Sequence, residues 1–127
     1  MKKRVLIVDD FEYNIAFEEK VIISLMEENK VHIEVDMALT VSEALQKIEE
    51  NREYDAMVID MNLPDGSGSD IAKAALNKSE ETRIAALTLY PEVYQEHKAL
   101  FDMFLRKPII PRDYKKKFTY LLDLPEL

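Results

Sequence analysis

The chain has 127 residues, 47% hydrophobic and 33% charged, with 25 acidic against 17 basic side chains for a formal net charge of −8. That is one ordinary domain, long enough to bury roughly two-thirds of its unfolded surface, and acidic enough to repel nucleic-acid backbones and anionic membranes. The absence of cysteine excludes disulfides, thiolate metal sites and thiol nucleophiles, and no run approaches the ~20 apolar residues of a membrane span.

In chain order, Val5–Val8 is an unbroken apolar quartet stopped by Asp9 and Asp10. It is too short for the core of a secretory signal, so the expected location is cytoplasmic. Residues 12–29 read as a long helix with Phe17, Val21, Ile22, Leu25 and Met26 inward. His32–Met37 alternates Ile33, Val35 and Met37 with Glu34 and Asp36, the pattern of a half-exposed edge strand. Thr40 and Glu43 have capping-box spacing, and Val41, Ala44, Leu45 and Ile48 form the apolar stripe of the helix that follows. Ala56–Ile59 and Ile84–Leu87 are further apolar quartets, and Met103–Leu105 is a shorter run of the same kind. Such runs fit strands covered on both faces. Pro91 and Pro111 suit the first turns of two later helices, the second carrying Tyr114, Phe118, Leu121 and Leu122 inward. The two glycines, Gly66 and Gly68, share one loop, and no linker or repeat divides the chain. We therefore expect a single α/β domain over residues 1–127, with no output domain: five parallel strands alternating with five helices on both faces. The expected strand order is 2-1-3-4-5, with His32–Met37 and Met103–Leu105 at the edges.

Functional sites in such sheets lie beyond the carboxyl ends of the strands. Asp9 and Asp10 follow the first strand, Asp60 ends the third, Thr88 ends the fourth and Lys107 follows the fifth. Three carboxylates in one pocket repel one another, and a divalent cation relieves the repulsion. All-oxygen ligands favour Mg²⁺ or Mn²⁺ over zinc. A lysine and a hydroxyl beside them would grip phosphate oxygens, so the residues suggest metal-assisted phosphoryl transfer to an aspartate. Taken singly, each has a plainer role: the Asp pair a helix cap, Asp60 a turn former, Lys107 a solvated loop lysine.

The ordered set Val5-Leu6-Ile7-Val8-Asp9-Asp10, Tyr54 to Asp60, Leu63-Pro64-Asp65-Gly66-Ser67-Gly68, Thr88 and Lys107-Pro108 resembles the receiver domain of two-component response regulators. The likeness covers essentially the whole chain, and Asn14 is similar to receivers attached to hybrid histidine kinases. The resemblance implies a flavodoxin-like fold and a Mg²⁺-dependent switch, with Mn²⁺ as a substitute. Asp60 would be the phosphoacceptor. Asp9, Asp10, Asp60 and the backbone carbonyl of Asn62 would hold the metal. Thr88 and Phe104 would be the switch pair, and Lys107, before a cis Pro108, would pair with the phosphoryl group. Charge at Asp60 would then bias a surface made by the helix after Thr88, the fifth strand and the last helix. The implied partners are a histidine kinase or histidine phosphotransfer protein and a downstream target or output domain, with homodimers within the family's range.

Three features depart from the family pattern. Leu89 stands where a small residue is usual and would act as a gate, Tyr90 follows it, and the Thr88-to-Lys107 segment is short, so its helix should be abbreviated. The competing readings are a pseudo-receiver that docks proteins without phosphoryl chemistry and a haloacid-dehalogenase-type phosphatase. The latter would want an acid two residues past its nucleophile, where this chain has Asn62. Phosphate-binding glycine loops of nucleotide enzymes are absent. His32 and His97 are isolated, the six methionines read as core filler, and Lys115-Lys116-Lys117 as a solvated helix face.

Overall fold

The computed structural model describes residues 2–50, 53–90 and 99–124. In chain order the elements are β1 (Lys2–Val8), α1 (Glu12–Asn29), β2 (His32–Ala38), α2 (Val41–Glu50), β3 (Ala56–Asp60), β4 (Asn62–Leu63), β5 (Gly66–Ser67), α3 (Gly68–Lys78), β6 (Arg83–Thr88), β7 (Met103–Arg106) and α4 (Pro111–Leu121). Five strands form one parallel sheet in the order β2-β1-β3-β6-β7, which is the expected order once the small β4-β5 hairpin is set apart. That antiparallel hairpin occupies the loop expected after the third strand. Four helices lie among the described residues, against five expected. The helix proposed to open at Pro91, with His97 in it, falls on residues 91–98, outside the described residues.

The apolar quartets are buried because both sheet faces are covered. Val5 and Ile7 join the core beneath α1 and α4, while Leu6 and Val8 join the core beneath α2 and α3. The edges behave differently. In β2, Ile33 is buried, but Met37 is 43% exposed despite its place in the alternating pattern. Alternation tells which face a residue occupies, not whether anything covers it. Leu45 of α2 is likewise exposed, leaving Val41, Ala44 and Ile48 as a narrower stripe. In α1 the inward stripe is Ile15, Glu18, Val21, Ile22 and Leu25, with Phe17 only half-buried.

The helices are fastened by contacts distant in sequence. At the start of α2 the Thr40 hydroxyl accepts from the Glu43 N–H (3.0 Å), and the Glu43 carboxylate accepts from the Leu39 N–H (2.9 Å). Asp65, from the β4-β5 turn, accepts from the N–H groups of Val41 (2.7 Å) and Ser42 (3.0 Å). Those two bonds hold its carboxyl below the usual range. At the other end of α2, Lys78 of α3 donates to the carbonyls of Ile48 and Glu49. On the opposite face, Lys115 of α4 pairs with Glu28 and donates to the Ser24 hydroxyl (3.0 Å), both on α1. The lysine triplet is thus not wholly a solvated face: Lys115 is a tie between helices, and Lys116 and Lys117 are exposed.

Candidate functional site

The parallel register brings the ends of β1, β3 and β6 together. Asp9 (0% exposed) and Asp60 (1% exposed) are buried, whereas Asp10 is exposed. Each of the three offers a carboxylate oxygen, and these atoms all lie within 4.8 Å of one another. Asp9 accepts from the Phe11 N–H (2.9 Å) and the Asn14 side-chain amide (3.2 Å), so it fastens the turn leading into α1 while facing the pocket, and no side chain caps the first helical N–H groups. Asp60 accepts from the Asn62 N–H (2.9 Å), and its Oδ1 lies 3.0 Å from the Lys107 ammonium. Asp60 thus has its plainer role as a turn former, whereas the N-cap of α1 is Phe11 and not the Asp pair.

Burial first, then the charge of Asp60, raises the Asp9 carboxyl from 3.8 to about 6. The Phe11 N–H, the Asn14 amide and the Lys107 charge oppose that rise. One ammonium facing three carboxylates leaves the pocket short of positive charge, and a hard divalent cation with oxygen ligands fits that deficit.

Thr88 (6% exposed) ends β6, and its hydroxyl accepts from the Tyr90 N–H at 3.1 Å. Its carbonyl accepts from the Lys107 N–H (2.9 Å), which fixes the lysine's origin beside the pocket. The Lys107–Pro108 peptide is cis. Phe104 stands opposite Ala86 on β7, two register positions before Thr88, and is half-buried against Phe101 with ring centroids 5.6 Å apart. Leu89 is 53% and Tyr90 61% exposed. Gly68 explains the close approach of α3: a Cβ there would lie 2.8 Å from the Met61 sulfur and 2.9 Å from Ile59.

The family model described as the response regulator receiver domain matches residues 5–119. The chain belongs to the receiver-domain family. Among solved structures, this receiver domain is similar to the CheY-like receiver domain protein of Methanospirillum hungatei JF-1 (26% identity, TM-score 0.80, covering 97% of this chain and 95% of that one). It is also similar to the chemotaxis response regulator CheY4 of Vibrio cholerae (30%, 0.77, covering 96% and 100%). The response regulator TrrA of Thermotoga maritima, solved in complex with Mg²⁺-BeF, is 31% identical with a TM-score of 0.72, covering 94% and 99%. A curated relative, hybrid signal transduction histidine kinase L of Dictyostelium discoideum, is 28% identical over 123 residues; the match covers 89% of this chain and 7% of that protein. No helix among the described residues is long and apolar enough to cross a membrane.

Sequence reasoning missed one group near the receiver pocket. Glu18 is completely buried on α1, and burial raises its carboxyl from 4.5 to about 8. Its signal was present: Ile15, Glu18, Ile22 and Leu25 have helical spacing, so a glutamate occupies a stripe position where an apolar residue belongs. The capping role of Asp65 was also missed, because its partners lie 24 and 23 residues away.

Proposed function

We propose that this receiver domain accepts a phosphoryl group on Asp60 from a phosphohistidine of a histidine kinase or phosphotransfer protein, in the cytoplasm. The observation that carries the reading is the buried Asp60 carboxylate, held 3.0 Å from Lys107 and sharing its pocket with Asp9 and Asp10. An Asp60 oxygen forms the new O–P bond as the P–N bond of the donor breaks, and the electron pair leaves with the imidazole nitrogen. Bound Mg²⁺, or Mn²⁺ in its place, supplies electrostatic neutralisation of the transferring group. Asp9, Asp10, Asp60 and the Asn62 carbonyl would hold it. Lys107 holds the phosphoryl charge, and Thr88 turns its hydroxyl from the Tyr90 N–H toward the new oxygens. Phe104, on the same β6-β7 edge, follows and alters the surface offered to a downstream protein, an output domain or a second copy.

The test is incubation with a small phosphodonor and Mg²⁺, followed by intact mass. Wild type gains one phosphoryl mass and Asp60→Asn gains none. A wild-type chain that stays unlabelled by both a small donor and a phosphohistidine protein is a pseudo-receiver. Leu89 serves as a partial shield, being more than half exposed. Leu89→Ala is therefore expected to speed decay of the phosphorylated form by about threefold, or roughly 0.7 kcal/mol of barrier.

A further inference from the structure

Helices α1 and α4 pack against the same face of the sheet, and between them lies an open groove of about 520 Å³. Phe17 and Val21 of α1 and Pro111 of α4 supply its apolar walls. Three cations, Lys20, Arg112 and Lys115, also line it, and no carboxylate does. That is an unusual local balance in a chain where acids outnumber bases 25 to 17. At one end Lys115 is already engaged, by Glu28 and by the Ser24 hydroxyl. Lys20 and Arg112 are different: both are exposed, and neither forms an ion pair among the described residues. The first turn of α4 adds to the positive field. Its N-cap, Ile110, offers no side chain to the helix N–H groups, and the helix dipole places partial positive charge there. Asp113 of the same turn lines the separate cavity beside Lys107 instead.

We propose that the α1-α4 groove is a binding site for a small amphipathic anion. An aromatic or short acyl body lies against Phe17, Val21 and Pro111, and its carboxylate is held by Arg112 and Lys20. The guanidinium fork matches a carboxylate in two parallel bonds, and the ammonium adds a point charge on a flexible stem. Size favours a small ligand over a protein. The volume falls within the roughly 300–1,000 Å³ of small-molecule pockets. The lining spans Phe17 to Ser24 on α1, about 10 Å along the helix, and Pro111 to Lys115 on α4, about 6 Å. A stable protein interface needs about 20–30 residues from each partner, far more than this groove supplies. None of Asp9, Asp10, Asp60 and Lys107 lines it, so the inference does not rest on the chemistry at Asp60.

The test uses one ring system with three head groups: a naphthoate, the matching naphthamide and naphthylmethylammonium. Each is titrated into the full chain, and the amide NMR signals of Phe17, Val21 and Ser24 are followed with the Arg112 side-chain Nε–H. The naphthoate is expected to saturate these signals with a Kd below about 1 mM, about tenfold tighter than the naphthamide, with the ammonium weakest. Acetate, which has the head without the body, should fail to saturate at the same concentrations. Lys20→Gln combined with Arg112→Gln changes only exposed side chains that hold no ion pair. It should bring the naphthoate down to the affinity of the naphthamide and leave the naphthamide unchanged. Equal affinity for the carboxylate and the ammonium overturns the proposal. So does a carboxylate preference that survives the double variant, or a set of shifts centred outside the groove. An acidic amphipathic helical peptide gives the contrasting arm. If it shifts α1 amides from Tyr13 to Glu27 while the naphthoate binds no better than acetate, the face docks protein, and the small-ligand site is overturned.

Discussion

Asp9 and Asp10 are adjacent, yet they do different work. Asp9 is buried, holds the Phe11 N–H ahead of α1 and faces Asp60, whereas Asp10 is exposed at the rim of the same pocket. Under the proposed function, neutralising Asp10 removes a proposed metal ligand and one member of a repelling trio without touching the hydrogen bonds that Asp9 accepts. Asp10→Asn should therefore bind Mg²⁺ at least about tenfold more weakly. Its metal-free melting temperature should equal or exceed that of wild type. A clear drop in metal-free stability would assign capping to Asp10, a role whose loss costs ~1 kcal/mol. The strand-end residues were legible because each follows an apolar run whose end is sharply marked. Glu18 was not, since the general rule places glutamates in solvent and only its spacing between Ile15 and Ile22 says otherwise.

At the scale of elements, the quartets Val5–Val8, Ala56–Ile59 and Ile84–Leu87 identified the three central strands because burial on both faces leaves no polar position in them. The edge elements were less readable: Met37 and Leu45 lie on surfaces left exposed among the described residues. Contacts between elements were the least readable. Asp65 belongs by sequence to a turn, and only the fold shows it capping α2. Asp65→Ala should remove two bonds to helix N–H groups and lower the midpoint of urea unfolding. The Thr40 and Glu43 bonds remain, so α2 should still form in that variant.

For the whole molecule, the two raised carboxyls set an unusual pH dependence. In the folded chain Asp9 and Glu18 hold their protons up to about 6 and about 8, above the ordinary 3.8 and 4.5. The folded state therefore binds more protons than the unfolded chain across that window, and unfolding free energy falls as pH rises from about 4 to 8. The metal-free protein is expected to be more stable at pH 6 than at pH 8, on the order of 2 kcal/mol in denaturant titrations at fixed salt. The decline above pH 6 belongs to Glu18, so Glu18→Gln should flatten it, while Mg²⁺ should remove only the earlier part due to Asp9. A wild-type profile that is level from pH 6 to 8 would show that Glu18 is ionised in the fold.

The paired fastenings of the helices also divide the molecule mechanically. α2 is clasped at its first turn by Asp65 and at its last by Lys78, while Lys115 ties α4 to α1. The sheet therefore carries two slabs, α2 with α3 on one side and α4 with α1 on the other, each stitched within itself. In amide hydrogen exchange, each slab should open as a cooperative unit with its own protection level. The Val41 and Ser42 amides, held by a carboxylate from the loop that follows Asp60, would be the first place where a change at that aspartate is felt across the α2-α3 slab.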